Sequence, residues 1–345
     1  MKNKKMWVTL FIVGLVSILI LFSNVYKSNT SHVTSKISEP DLLISFTNAH
    51  LITSYYFNDN ILHQEKMTEY PAMTLNKDRS TLYYTKRDEQ KKLNIVRFEL
   101  KSSRAEIVTK SIDYADELQL SSDETTLYMR VNQPNHRNFH LTSLHLSTKK
   151  TAIIFPDKSN QDQNVAFFKY NSHKNNHIVL HYSLAEDMKN VEKANVTGNP
   201  LKPPKTIFSI IDSKQTKQIG SLTKPIQDVA IAPKGEKVLF TSDSESDDEA
   251  RTVFELDLES NKYKPLFKED GKFKLLSQSF PQYSSDGKVV YFFLGIDSKA
   301  KPYTDESTGR EIKERTIYSY TRQSKEFAKR WEKPNGVINN FSVLN

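Results

Sequence analysis

The alternation of apolar and polar residues divides most of the chain into short runs typical of β-strands, separated by turn-forming residues. The clearest stretch is 280–294, in which a turn at 285–288 precedes the strongly apolar run 289–293. Asp286 can accept hydrogen bonds from the backbone two residues later, and Gly287 supplies the positive φ that tight hairpins need. Because the apolar run is β-branched and aromatic, the pattern predicts a β-hairpin.

Weaker copies of this turn and apolar run occur at four other places, with turns at 75–78, 120–123, 170–173 and 232–235. If positions 78, 123, 174, 234 and 286 are equivalent, the steps between them are 45, 51, 60 and 52 residues. A repeat of this length, with one hairpin and several short strands, is typical of the blades of a β-propeller.

The number of strands predicts how the ring closes. Residues 41–65 contain only three predicted strands, whereas five later segments contain four each. The final apolar run, 338–344, falls where a new blade would begin and supplies the missing strand. Sharing one blade between the two ends removes free sheet edges. We therefore predict an all-β fold, a six-bladed β-propeller closed by the C-terminal strand, with seven or eight blades as the alternative.

Two of the turns carry a resemblance to a known repeat. The segments 284–292, Ser-Ser-Asp-Gly-Lys-Val-Val-Tyr-Phe, and 232–240, Ala-Pro-Lys-Gly-Glu-Lys-Val-Leu-Phe, resemble the TolB-type, WD40-like propeller repeat, which has a Ser-Pro-Asp-Gly-like turn before an apolar strand. The resemblance covers about residues 42–345, and only the copy at 284–292 keeps Asp and Gly together. It implies a propeller of about six to eight blades. It implies no catalytic residues, because the shared motif is a turn.

The first 27 residues have the pattern of a signal anchor. Lysines at positions 2, 4 and 5 precede an uncharged run of 20 residues from Trp7 to Tyr26, about the length that crosses a bilayer as a helix. The lysine bias places the N terminus inside the cell and the rest of the chain outside. A cleaved signal peptide is the alternative, but no Ala-x-Ala cleavage site follows the apolar run. We predict a transmembrane helix at 1–27, a flexible tether at 28–40 and the propeller at 41–345.

Composition narrows the classes of function. The chain has no cysteine among its 345 residues, which excludes disulfides, thiolate metal sites, iron–sulfur clusters and a lipobox anchor. Its net charge is +8, and the chain without the three N-terminal lysines carries +5. This basic excess suits anionic wall polymers or lipid headgroups, although it also fits a merely solubilising role. We expect no nucleic-acid partner, because no aromatic–basic binding motif is present.

Three connections between predicted strands mark a candidate binding face. In a four-stranded blade the connections between the second and third strands emerge at the same end of the ring, and here they comprise 185–205, 243–249 and 297–315. Long loops on a rigid scaffold often carry binding function, although they are also tolerated as mobile insertions. The candidate binding residues on this face are Asp187, Lys189, Lys193, Lys202, Tyr303, Asp305 and Arg310.

Two groups of residues have side chains that can bind metal ions, but the spacing of these residues matches no recognised metal-binding motif. Asp243, Glu245, Asp247 and Asp248 offer carboxylates for Ca²⁺, but their loop fails the EF-hand template, so a solvated hairpin tip is favoured. His177 and His181 share one side of a predicted strand at a separation of about 13 Å, too far to bind one ion. We expect no cofactor.

No catalytic residue can be assigned from the sequence. The chain lacks the nucleophile-elbow, Walker, dinucleotide-binding and zinc-protease motifs. Scattered Asp and Glu residues remain compatible with a glycosidase-like pair, which distant strands can bring together. The sequence favours a monomeric, membrane-anchored extracytoplasmic propeller that binds another envelope protein or an anionic wall polymer. A cell-envelope glycan hydrolase or lyase, with acidic residues in the central funnel, is the alternative.

Overall fold

The computed structural model describes residues 41–344 apart from gaps at 67–70, 113, 133–136, 158, 173, 213–214, 225, 227, 243–250, 270–273, 277–278, 296–302, 305–310 and 313. The predicted transmembrane helix and tether, at 1–27 and 28–40, lie outside these residues. Within the described part of the chain, no helix combines the length and the hydropathy needed to cross a membrane.

Six antiparallel sheets form the blades of a propeller and follow one another in chain order. Blade 1 contains β1 (Asp41–Asn48), β2 (Ile52–Phe57) and β3 (Asn60–Lys66), together with the last strand of the chain. Blade 2 contains β4 (Met73–Leu75), β5 (Thr81–Arg87), β6 (Leu93–Glu99) and β7 (Arg104–Ile112). Blade 3 contains β8 (Tyr114–Leu120), β9 (Thr126–Asn132), β10 (Phe139–His145) and β11 (Lys150–Phe155).

The second half of the ring carries the larger insertions. Blade 4 contains β12 (Gln163–Asn171), β13 (Asn176–Ser183), β14 (Thr206–Ile211) and β15 (Thr216–Leu222), with helix α1 (Leu184–Thr197) between β13 and β14. Blade 5 contains β16 (Asp228–Ile231), β17 (Lys237–Ser242), β18 (Thr252–Asp257) and β19 (Lys262–Lys268).

Blade 6 departs from the other blades in two ways. Its inner edge is formed by two short pieces, β20 (Lys274–Leu275) and β21 (Gln282–Tyr283), which both pair with β22 (Val289–Gly295). Phe280, which lies between these two pieces, adopts a positive φ of 47°, which interrupts an extended strand. A small hairpin of β23 (Tyr303–Thr304) and β24 (Glu311–Ile312) precedes β25 (Arg315–Thr321) and β26 (Glu326–Trp331).

The last strand, β27 (Gly336–Leu344), closes the ring as predicted. It pairs antiparallel with β1 and becomes the innermost strand of blade 1, with Phe341 opposite Ile44. Gly336 at its start leaves no room for a side chain, because an added Cβ would lie 2.4 Å from both the Phe46 ring and the carbonyl oxygen of Thr47. The six-blade count and the closure by the C-terminal strand are therefore confirmed.

The five predicted hairpin turns share one backbone feature. The residues that directly follow positions 78, 123, 174, 234 and 286 all have positive φ angles, 61°, 58°, 48°, 74° and 69° in turn. Two of these residues are the glycines Gly235 and Gly287, whereas Arg79, Glu124 and Asn175 adopt the same region with a side chain. The equivalence of the turns is therefore confirmed by their conformation.

The apolar core consists of six clusters, and each cluster spans the boundary between two neighbouring blades. The cluster between blades 6 and 1 includes Phe341, Phe293 and Trp331, with the rings of Phe341 and Phe293 at a centroid distance of 4.9 Å. Phe341 is fully buried. Each sheet therefore buries both of its faces against its neighbours.

Replacing Phe341 by Ala tests the closure of the ring. We expect the free energy of unfolding to fall by about 3–5 kcal/mol, because a fully buried ring is lost at the boundary between blades 6 and 1. Urea unfolding measures this change. Val343→Ala in the same strand, where the side chain is only half-buried, is the control and should cost clearly less. If both variants lost equally little free energy of unfolding, the role of β27 in closing the ring would be contradicted.

Candidate functional site

We call the end of the ring at which the second strand of each blade connects to the third the loop face. Because strands in an antiparallel blade alternate in direction, all of these connections emerge there. Helix α1 and the β23–β24 hairpin both lie in such connections. The third predicted elaboration, 243–249, lies outside the described residues, and so do its candidate Ca²⁺ ligands Asp243, Glu245, Asp247 and Asp248.

The segment 185–205 connects the second and third strands of its blade as predicted, but most of it is helix α1 rather than a loop. The helix begins after the N-cap residue Ser183, whose side chain accepts a hydrogen bond from the backbone N–H of Glu186. It ends at Gly198, which has a φ of 67° and donates its N–H to the Ala194 carbonyl oxygen at 2.8 Å. Both signals are visible in the sequence.

Helix α1 lies on the loop face with no buried residue. Four large apolar side chains on the helix and the segment after it are exposed, with exposed fractions of 54% for Met188, 39% for Val191, 80% for Val196 and 55% for Leu201. Large apolar side chains that cluster on a surface often mark an interaction site.

The predicted binding residues are placed as follows. Asp187 is half-buried on α1, and Lys189, Lys193 and Lys202 are exposed on α1 or just after it. Tyr303 belongs to β23, where its backbone pairs with Ile312, and its side chain is not described. Asp305 and Arg310 lie outside the described residues. The structure therefore brings together four candidates on α1 and the residues that follow it, and we call this stretch, 184–205, the α1 segment.

The histidines of blade 4 are buried in the protein. His181 Nε2 lies 2.9 Å from Ser209 Oγ, and His177 packs edge-on against the Tyr128 ring. Burial lowers the pKa of both imidazoles to about 4, so both are neutral at physiological pH. Among the described residues, no group of three His, Asp or Glu side chains is placed to hold a metal ion.

Two cavities that share wall residues lie between the inner strands of the propeller, and we describe them as the outer and inner chambers of one channel. The outer chamber has a volume of about 480 Å³, and the inner chamber has a volume of about 140 Å³. The two chambers share Glu117, Phe167, Val229 and Phe280 as wall residues. The outer chamber opens on the loop face, since its walls include Tyr114, near the start of an innermost strand, and other residues at that end of the ring.

Arg130 and Asp116 form a fixed ion pair at the wall of the outer chamber. The Arg130 guanidinium donates two hydrogen bonds to the Asp116 carboxylate, of which the Nε bond is 2.7 Å long. A third bond, from Nη1, reaches the Ala166 carbonyl oxygen of blade 4 at 2.7 Å. The pair therefore links the inner part of blade 3 to that of blade 4.

Asp228 is a second carboxylate with protein partners. It is only 8% exposed, and it accepts hydrogen bonds from the backbone N–H groups of Phe280 at 2.6 Å and Thr241 at 3.2 Å. Burial raises the pKa of the Asp228 carboxyl to about 6 in spite of these bonds. Asp228 therefore connects blade 5 to the inner edge of blade 6.

Glu117 and Lys169 face the channel axis. Burial, together with the negative charge of Asp116, raises the pKa of Glu117 to about 7, although the positive charges of Arg130 and Lys169 act in the opposite direction. Burial lowers the pKa of Lys169, and the negative charge of Glu117 opposes this effect. Lys169 is exposed to the space of the inner chamber, yet the blades surround it. Sequence analysis did not single out either residue.

Asp228→Asn should change how stability depends on pH. The pKa of Asp228 is higher in the folded chain than its usual value of 3.8, so ionisation in the folded state costs stability as the pH rises through about 6. We therefore expect the stability of the variant relative to wild type to increase from pH 4 to pH 7, by at most about 3 kcal/mol. Urea unfolding at several pH values measures it.

Asp286→Asn is the matched control for this pH dependence. Hydrogen bonds from the backbone N–H of Lys288 and from the Ser284 hydroxyl lower the pKa of this turn carboxylate. Its contribution to stability is therefore present above its usual pKa and is lost as the pH falls, so this variant should lose relative stability from low to neutral pH. If the difference in unfolding free energy between Asp228→Asn and wild type did not vary with pH, the raised pKa of Asp228 would be contradicted.

The fold is similar to those of several solved propellers, although no family model matches the chain. TolB from Acinetobacter baumannii has a TM-score of 0.57 at 12% identity, over 88% of this chain and 66% of that protein, slightly less than two thirds of its length. A putative TolB from Agrobacterium tumefaciens has a TM-score of 0.55 at 10% identity, over 86% of this chain and 91% of that one. Oligogalacturonate lyase from Vibrio parahaemolyticus has a TM-score of 0.50 at 12% identity, over 86% and 87%. The TolB-like propeller fold is thus confirmed.

One curated protein is similar in sequence over most of the chain. The uncharacterized protein YdjN of Bacillus subtilis strain 168 is 38% identical over 311 residues, which cover 89% of this chain and 88% of that protein. A likeness of that extent reflects common descent, and the chain therefore belongs to the same family as YdjN, with the fold of a TolB-like, six-bladed β-propeller.

Proposed function

We propose that this protein is a membrane-anchored, extracytoplasmic propeller that binds another envelope protein through the α1 segment of its loop face. The observation that carries the proposal is the cluster of exposed apolar side chains on and after α1, at Met188, Val191, Val196 and Leu201. The anchor rests on the charge and hydropathy pattern of residues 1–27.

The exposed apolar residues of the α1 segment differ from those elsewhere in the described residues. The other exposed large apolar side chains are spread over five blades, at Ile52, Ile61, Ile107, Tyr114, Tyr263 and Phe327. Single exposed apolar residues are ordinary on a protein surface. Four such side chains lie within residues 188–201, and this concentration, which we call the apolar patch, has the composition that protein interfaces bury at their centre.

The charges around this patch favour a protein partner over an anionic polymer. Residues 185–205 contain four lysines, and Glu186, Asp187 and Glu192 offset three of these four charges. A polyanion is recognised chiefly by an excess of cations, which the helix does not present. A mixed-charge rim around an apolar centre matches the composition of protein–protein interfaces.

The channel gives less support to a glycan hydrolase or lyase. Hydrolysis by a pair of carboxylates needs two side chains that are available to the substrate. Among the described carboxylates of the channel wall, Asp116 is held by Arg130 and Asp228 accepts two backbone N–H groups. Glu117 alone is available, and the likeness to oligogalacturonate lyase concerns the fold.

Site-specific photocrosslinking in intact cells tests the binding surface. With a benzophenone side chain at Val191 of the full-length protein, we expect a discrete protein adduct. The same side chain at Lys101 is the control, since this exposed residue lies in a turn between third and fourth strands, on the opposite face. Equal adducts at both positions, no adduct, or an adduct to polysaccharide alone would contradict the proposed protein partner.

Protease accessibility tests the anchor and its direction separately. We expect the full-length protein to sediment with membranes and to be digested when protease is added to intact spheroplasts, because the propeller would lie outside. Deleting residues 1–27 should leave the protein in the soluble fraction. Protection from protease until the cells are lysed, or a soluble full-length protein, would rule out this topology.

A further inference from the structure

Two of the charged residues in the channel differ from the others in their surroundings. Of the six charged side chains that line the chambers among the described residues, Asp116, Arg130, Asp228 and Arg315 make hydrogen bonds or ion pairs with the protein. Glu117 and Lys169 have no such bond to a described residue. They act on each other only through their charges, each altering the pKa of the other.

The repeat shows what occupies the position of Lys169 in other blades. Gln119, Lys169 and Gln282 are equivalent, since each pairs with the residue nine positions later in the hairpin. Gln119 donates to the Phe168 carbonyl oxygen and accepts from the Tyr170 N–H, both at 3.0 Å. Gln282 bonds in the same way to Phe341 and Val343 of the next blade. Lys169 makes no such bridge, so its ammonium group is left in the chamber.

Glu117 also differs from the residue at the equivalent position of another blade. It lies two residues before Gln119 and has a positive φ of 56°, and Phe280 lies two residues before Gln282 with a φ of 47°. Both residues line the two chambers, so this conformation is a feature of the inner strand that positions a side chain at the channel. Blade 6 carries an apolar ring at this position, whereas blade 3 carries a carboxylate.

Two unbonded charges of opposite sign along one channel are available to a ligand that can bond to both of them. A simple anion would be attracted by Lys169 but repelled by Glu117, and a simple cation would meet the opposite problem. A molecule that carries both charges satisfies both groups. Glu117 lines both chambers and Lys169 lines the inner one, so the two charges follow the channel axis inward from the loop face.

We propose that the channel binds a small zwitterion, of which an α-amino acid is the simplest, with its carboxylate on Lys169 and its ammonium group on Glu117. Phe167, Phe280 and Val229, which line both chambers, form the apolar part of the ligand's surroundings. The proposal is independent of the partner proposed for the α1 segment.

Isothermal titration calorimetry of the propeller with glycine, L-alanine and L-phenylalanine tests the proposal, using full-length protein in detergent. Each probe is compared with its N-acetyl and amide derivatives, which lack one of the two charges. We expect at least one amino acid to bind and both of its derivatives to bind about tenfold more weakly or worse, because a hydrogen bond to a charged group is lost.

Variants connect the binding to the two residues. Glu117→Gln and Lys169→Met should each weaken binding of the amino acid about tenfold or more. Glu326→Gln and Lys262→Met, on exposed outermost strands, are matched controls that should leave binding unchanged. The charge-swapped double variant, Glu117→Lys with Lys169→Glu, should recover part of the affinity, since a zwitterion can bind in the reverse direction. Circular dichroism checks that each variant is folded.

Binding should also depend on pH. Protonation of Glu117 at pH 5 removes the charge that faces the ligand ammonium group, with Asp116, Arg130 and Lys169 as the other charged groups around it. We expect weaker binding at pH 5 than at pH 8. The proposal is overturned if no amino acid binds, if the derivatives bind equally well, or if binding is unchanged in folded Glu117→Gln and Lys169→Met variants.

Discussion

Contact between neighbouring sheets is the interaction on which this structure depends. Each of the six apolar clusters belongs to two blades, so a blade removed from the ring would expose both faces of its sheet to water. Such an arrangement is stable only when the ring of blades is closed, because the first and last blades of an open ring would each leave one sheet face exposed. Strand β27 closes the ring, because it comes from the C-terminal part of the chain and pairs with β1 in blade 1. This pairing places Phe341 between blades 6 and 1.

Polar bridges support the same boundaries close to the axis. Gln119, Gln282 and Arg130 each bond to backbone atoms of the next blade. Farther out, the buried carboxylate of Glu255 in blade 5 accepts hydrogen bonds from Arg322 and from the Tyr283 hydroxyl of blade 6. These bonds satisfy polar groups that the narrow inner end of the ring removes from bulk water. Most polar side chains of the channel wall therefore bond to a neighbouring blade. Glu117 and Lys169 differ from them because they make no such bond to a described residue and remain available to a ligand.

Much of the fold could be predicted because its signals are local and repeated. The turns before β5, β9, β13, β17 and β22 share their conformation even where the sequence lacks glycine, and strand number alone identified the closing strand. Helix α1 was missed although Ser183, Glu186 and Gly198 mark its ends, because the spacing of the repeat assigned that segment to a loop. Glu117 and Lys169 could not be found in this way. They line the same channel only because adjacent inner strands converge on one axis, and no local pattern records that convergence.

The closing strand also determines where the chain leaves the ring. Asp41 pairs with Leu344, so the first residue of β1 and the last residue of β27 lie side by side at the end of the propeller opposite the loop face. A support, tag or fusion domain attached at either residue would therefore be remote from α1 and from the outer chamber, although Ser342 and Val343 beside Leu344 line the inner chamber. Immobilised by either end, the propeller presents both surfaces to solution in one orientation. The proximity of the two ends also makes a circular permutant, joined there and opened at an exposed turn elsewhere, a geometrically simple redesign.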